Sequence, residues 1–206
     1  MTNTKKESFE AHMSTHWYIY LIYAIIAIFI WSYAVVLITR DKPKEVVTVW
    51  IMTYSINQEE LTNKLESKKP DYLKHVRVTF EDRTGQFANI KYQGIGADSD
   101  IVILPQSFVE SGNLARGYQA LDKDYLDSIM PGLEYYMVDD YAYGIKIFDK
   151  DDTDDGLIKY TNETDELENY YLFINKKSLH MGKLNNSQFD GGIEILRMLL
   201  GYEPIL

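Results

Sequence analysis

Residues 97–108 read A-D-S-D-I-V-I-L-P-Q-S-F. Ile101 to Leu104 are four consecutive apolar residues, mostly β-branched, closed off by Pro105. Such a run predicts a strand buried on both faces near the centre of a parallel sheet, since a half-exposed strand would alternate apolar and polar residues. The carboxyl end of such a strand is where an open α/β sheet holds a ligand. That end carries Gln106, Ser107 and Phe108.

The chain upstream supplies what a parallel strand needs. Val46 to Thr53 (V-V-T-V-W-I-M-T) is a second nearly continuous apolar run and reads as another buried strand. Ser55 with Gln58 fits a helix-capping box. Leu61 and Leu65 then give a helix one apolar stripe before Lys68, Lys69 and Pro70 stop it. His75 to Phe80 alternates apolar and polar residues, which suggests a strand nearer a sheet edge. Gly85 to Gln93 is a weaker helix, ended by Gly94 and Gly96. Strand, helix, strand, helix, strand in this order predicts right-handed crossovers and a mostly parallel α/β sheet with helices on both faces.

Downstream, Gln106 to Ala115 and Leu121 to Met130 read as helices, the second stopped by Pro131-Gly132. Tyr135 to Val138 and Tyr141 to Phe148, joined at Asp139-Asp140, read as a hairpin. Tyr170 to Asn175 is a last strand, and Phe189, Ile193, Leu196, Leu199 and Leu200 recur at helical spacing up to Gly201.

Trp17 to Ile38 contains no charged residue and is long enough as a helix to cross a hydrocarbon core of about 30 Å. Trp17, Tyr18, Tyr20, Trp31 and Tyr33 sit where interface anchors belong. A cleaved signal peptide would have a shorter apolar region and a small-residue cleavage site, whereas this run leads into Thr39-Arg40-Asp41. It reads as an uncleaved signal anchor. The expected organisation is a short polar cytoplasmic tail at 1–16, the anchor at 17–38, a charged linker at 39–45 and one lobe at 46–206. Lys5 and Lys6 on one side nearly balance Arg40, Lys42 and Lys44 on the other, so positive charge alone does not orient the helix.

Composition removes whole classes of function. A formal charge of −10 argues against a nucleic-acid surface. The absence of cysteine removes disulfides, thiolate metal sites, a cysteine nucleophile and a lipidated cysteine. His12, His16, His75 and His180 lack any metal-binding spacing. No nucleophile elbow, phosphate loop or dinucleotide fingerprint is present, so the chain is expected to be no enzyme and to carry no cofactor. Asp151 to Asn162 matches a calcium loop at its first, fifth and glycine positions but lacks the bidentate glutamate at the twelfth, and reads as a solvated acidic loop.

Several of these segments together carry a resemblance. V-T-V-W at 47–50, S-D-I-V-I-L-P at 99–105, A-L-D at 120–122, Y-G-I at 143–145 and Y-L-F-I-N-K at 171–176 resemble, in order and spacing, the amino-terminal lobe of extracellular solute-binding proteins. More narrowly, they resemble the sugar-binding subunits of ATP-driven importers. The resemblance implies a periplasmic-binding-protein-like lobe outside the cytoplasm, a small solute such as a sugar as ligand, and a transporter permease as partner. The second lobe of that family is expected to be missing, which removes ligand capture by hinge closure. Tyr54, Ser55, Gln106, Ser107 and Phe108 would line the cleft face, with free helix N–H groups beside them. The competing reading makes Ser55 a cap, Tyr54 and Phe108 packing, and Gln106-Ser107 a helix start. Two functions stay open: an anchored solute-binding module, or a non-catalytic scaffold subunit that keeps the lobe and drops the ligand.

Overall fold

The computed structural model describes residues 3–83, 85, 88–150 and 168–203. It divides into two units, Met1–Asp41 and Lys42–Leu206. The first is a helix, α1 (Asn3–Thr39), interrupted at His16, where the backbone leaves helical geometry (φ −120°, ψ 17°). Helix thus begins at Asn3, within the residues 1–16 expected to form a short polar tail. Thr15–Thr39, 25 residues, is long and apolar enough to cross a membrane.

The second unit is an α/β lobe. Its strands are β1 (Val46–Thr53), β2 (His75–Asp82), β3 (Ile101–Pro105), β4 (Tyr135–Val138), β5 (Tyr141–Phe148) and β6 (Tyr170–Ile174). They form one sheet in the order β2-β1-β3-β6-β5-β4. The β2-β1-β3 half is parallel, as the alternation of strands and helices requires. β6 then pairs antiparallel with β3, and β5 antiparallel with β6. Four strands thus share one direction, and β6 and β4 oppose them. The hairpin β4-β5 has the expected bounds, with a bulge after Tyr136.

Period-2 alternation splits the strands between two cores. Val47, Val49 and Ile51, Ile101 and Ile103, and Leu172 and Ile174 face one side. There they meet Leu61 and Leu65 of α2 (Gln58–Ser67), Leu126 of α5 (Lys123–Ile129), and Ile195, Leu196 and Leu199 of α6 (Gly191–Leu199). Trp50 and Met52, Val102 and Leu104, and Tyr171 and Phe173 face the other side, against α3 (Ala88–Gly94) and α4 (Gln106–Gly112). Helices α2 and α3 follow β1 and β2 on opposite faces, which lets two crossovers running in opposite directions share one hand.

Polar side chains fix the ends. At the amino end of β3, the Asp100 carboxylate accepts from Thr48 N–H (2.8 Å), Thr48 Oγ1 (2.8 Å) and Ser178 Oγ (2.6 Å). It therefore joins β1, β3 and the segment after β6. Asn175 adds hydrogen bonds from Nδ2 to the carbonyls of Ala97 (2.7 Å) and Ser99 (3.1 Å). α6 begins at Gly191-Gly192. A Cβ at Gly191 would lie 2.4 Å from the Tyr72 hydroxyl, and one at Gly192 2.8 Å from the His180 carbonyl oxygen. Those two oxygens accept the Gly191 (2.6 Å) and Gly192 (2.9 Å) N–H groups, so the close approach satisfies two donors of the helix start.

Two expected roles change. Asn57, not Ser55, caps α2: its Oδ1 accepts from Glu60 N–H (3.2 Å) while its Nδ2 donates to Glu60 Oε2 (2.8 Å). Gln58 is thereby free to reach across to the Val78 carbonyl (2.6 Å), and Glu66, two turns further along α2, accepts from Val76 N–H (2.6 Å). These bonds occupy backbone groups of the edge strand β2 that would otherwise offer a template for another chain.

Two outcomes follow. Asp100→Ala removes three acceptor bonds at once and should cost about 2–3 kcal/mol, lowering the melting temperature by roughly 5–10 °C in a circular-dichroism melt; an unchanged melt would show that Asp100 pins nothing. Burial works against the Glu66 charge, but Lys69 and the Val76 N–H outweigh it and hold its pKa below the usual carboxylate range. A carboxylate depressed in the folded state stabilises above its unfolded pKa, and that stability is lost as pH falls through the folded value. In urea titrations stepped from pH 6 to pH 3, Glu66→Gln should therefore lose less stability than the wild type.

Candidate functional site

The order β2-β1-β3 places a topological switch point between β1 and β3, since the chain leaves β1 to α2 on one face and β3 to α4 on the other. Tyr54 and Ser55 follow β1, and Gln106, Ser107 and Phe108 open α4. The crevice they border is occupied by the protein's own side chains.

Arg83, just after β2, lies with its guanidinium 4.6 Å from the centre of the Tyr54 ring. It forms an ion pair with Glu168 and also interacts with the Tyr170 hydroxyl. Both charged side chains are largely withdrawn from water, at 17% and 19% exposure. Glu168 in turn accepts from Ser107 N–H (2.8 Å) and Ser107 Oγ (3.1 Å). Asn169 accepts the Gln106 N–H at its backbone carbonyl (2.9 Å) and donates from Nδ2 to Gln106 Oε1 (3.2 Å). Two of the N–H groups expected to be free at the start of α4, those of Gln106 and Ser107, are thus taken by residues 169 and 168. Chemically, the arrangement is a carboxylate held by a guanidinium, a hydroxyl and a backbone N–H, the set that would hold an anionic ligand, with Glu168 standing in that place.

Of the expected residues, Tyr54, Gln106 and Ser107 gather around this pair. Phe108 turns to the α3–α4 face and packs edge-to-face on Tyr92 at 5.4 Å, within the cluster of Trp50 and Tyr118. Tyr92 and Tyr118 share a hydroxyl hydrogen bond of 2.7 Å, and burial pushes both phenols above their usual pKa. Ser55 is half-buried. Sequence reading missed Arg83 and Glu168, which are 85 residues apart; the one available signal was a cation placed directly after an edge strand.

Elsewhere, Asp151 to Asn162 lie outside the described residues. Among the described residues, no group of three or more histidine, aspartate or glutamate side chains could hold a metal ion. His180 is buried, and its Nε2 lies 2.9 Å from the Pro43 carbonyl oxygen. A second concavity, a cleft of ≈ 680 Å³, lies between α5, α6 and the loop of residues 182–190.

No protein-family model matches the chain, and no curated protein matches it either. Among solved structures, it is similar to an ABC substrate-binding protein from Listeria monocytogenes in complex with cycloalternan, with a TM-score of 0.37 and 18% identity. The match covers 50% of this chain and 29% of that one.

If the Arg83–Glu168 pair closes the crevice, the two residues are energetically coupled. A double-mutant cycle of Arg83→Met and Glu168→Gln, read by urea unfolding, should return a coupling of about 1–2 kcal/mol. A value near zero would mean that the pair does not hold the crevice.

Proposed function

We propose that this chain is a membrane-anchored, non-catalytic interaction subunit: a solute-binding-type lobe, outside the cytoplasm, whose strand-end crevice is filled by its own carboxylate. The observation that carries this reading is Glu168 seated on Ser107 and paired with Arg83. An external solute would have to displace a tethered competitor whose effective concentration is high. The apolar stretch Thr15–Thr39 supports anchoring, and a membrane-protein complex such as a transporter permease is the partner that fits an anchored lobe. Exposed apolar side chains on the β4–β5 hairpin, Met137 and Tyr141, supply contact surface of the kind interfaces use.

A second reading keeps the lobe as a solute receptor at the same crevice, for a sugar or another small solute. It is favoured by the gathering of Tyr54, Gln106 and Ser107, an aromatic ring with polar fixers. Thermal melts of the full-length protein in detergent micelles, with maltose, glutamate or calcium, separate the two. A ligand that prefers the native state must raise its stability. The interaction reading expects no rise that depends on Tyr54 or Ser107, and co-elution of the protein in fixed stoichiometry with a membrane protein after mild solubilisation. A saturable rise abolished by Tyr54→Ala or Ser107→Ala would replace it with the receptor reading.

A further inference from the structure

Pro43 stands four residues after Thr39, the end of the apolar stretch. Four residues of fully extended chain reach about 14 Å, so covalent connection alone keeps Pro43 within that distance of the end of the stretch. From Pro43 onward the chain is fixed to the lobe. The Pro43 carbonyl accepts from Nε2 of the buried His180 (2.9 Å), and the Glu45 carbonyl accepts from Lys74 N–H (2.7 Å). A bilayer that holds the apolar stretch is therefore within reach of the lobe surface around Pro43.

That surface combines exposed apolar groups with lysines. Leu179, 46% exposed, precedes His180. Tyr72, 40% exposed, packs on Phe189 (ring centres 5.8 Å apart), which packs in turn on His180 (6.1 Å). The same segments carry five exposed lysines: Lys42, Lys44, Lys74, Lys176 and Lys177. One carboxylate, Glu45, is shared by Lys42 (3.8 Å) and Lys74 (3.1 Å), and Lys176 donates to the Arg116 carbonyl (2.9 Å). Lys44 and Lys177 engage no carboxylate among the described residues. Set against Glu45 and the exposed acids Asp71, Asp98 and Asp190, the five lysines still outnumber the carboxylates, in a chain whose formal charge is −10. Long lysine stems carry their ammonium groups to headgroup phosphates while apolar neighbours enter the boundary below them.

We infer that this face of the lobe lies down on a bilayer of anionic phospholipid, with Lys44 and Lys177 at the headgroup phosphates and Leu179 and Tyr72 at the boundary of the acyl chains. The assignment rests on the anchored reading above and adds to it the surface that meets the lipid. It also fixes where the crevice stands. β1 starts at Val46, next to the linker, and runs eight residues to Thr53. At the rise of an extended strand, Tyr54 is then held about 25 Å further from the headgroups than Pro43. A membrane-protein partner would meet the crevice there, clear of the lipid.

The chain has no cysteine, so a single introduced thiol can be labelled alone. Full-length Leu179→Cys and Glu59→Cys, each carrying a nitrobenzoxadiazole fluorophore, are reconstituted into phosphatidylcholine vesicles with and without phosphatidylglycerol. Glu59 is exposed on the first turn of α2, at the crevice end of the lobe, and serves as the control. With phosphatidylglycerol present, the label at 179 should be shielded from aqueous iodide and quenched by nitroxide lipid, and the label at 59 should not. Lys44→Gln and Lys177→Gln should each lower the ratio of shielded to exposed label about fivefold, and added salt should lower it further. The inference is overturned if the label at 179 is as open to iodide as the one at 59, if its shielding is the same without phosphatidylglycerol, or if shielding survives loss of both lysines. Anchoring is read separately, by flotation of the same vesicles after a carbonate wash. Protein left behind in that step would overturn the anchored reading and this inference with it.

Discussion

The strands β1, β3 and β6 bury side chains on both faces, and that constraint governs the rest of the lobe. With Ile101, Val102, Ile103 and Leu104 all sealed from water, polar chemistry is confined to the ends of the sheet. One carboxylate organises each end of β3. Asp100 gathers donors from Thr48 and Ser178 at its start, and Glu168 gathers Ser107 and Arg83 at its finish. The first ties β1 to β3 and to the segment after β6; the second stands at the mouth of the crevice that the topology opens.

Much of this was legible in the sequence because it rests on local periodicity. The β1 and β3 runs, the bounds of the β4–β5 hairpin and the stripe of α6 each follow from a pattern a few residues long. The direction of β6 was not legible, because Tyr170 to Ile174 is buried on both faces whichever way it runs. Gln58 and Ser55 were misread for a related reason. A capping box and a helix with a side chain free to reach a neighbouring strand look alike until that strand is in place, and Asn57 was the better cap all along.

The candidate site was half legible. Strand-end positions follow from topology, so Tyr54, Gln106 and Ser107 could be placed at the crevice. What fills it could not be, because Arg83 and Glu168 meet only after the β6 strand has returned beside β3. The motif residues behind the family resemblance behave differently again. Thr48, Asp100 and Asn175 hold the opposite end of the sheet together, away from the crevice.

The start of α6 has a genetic consequence. A first side-chain carbon at Gly192 would run into the His180 backbone carbonyl, and one at Gly191 would have to displace the Tyr72 hydroxyl from its hydrogen bond. Every missense change in a glycine codon adds that carbon. These two positions are therefore places where no amino-acid replacement is conservative, and inherited missense variation should be thinned there even though neither residue touches the crevice.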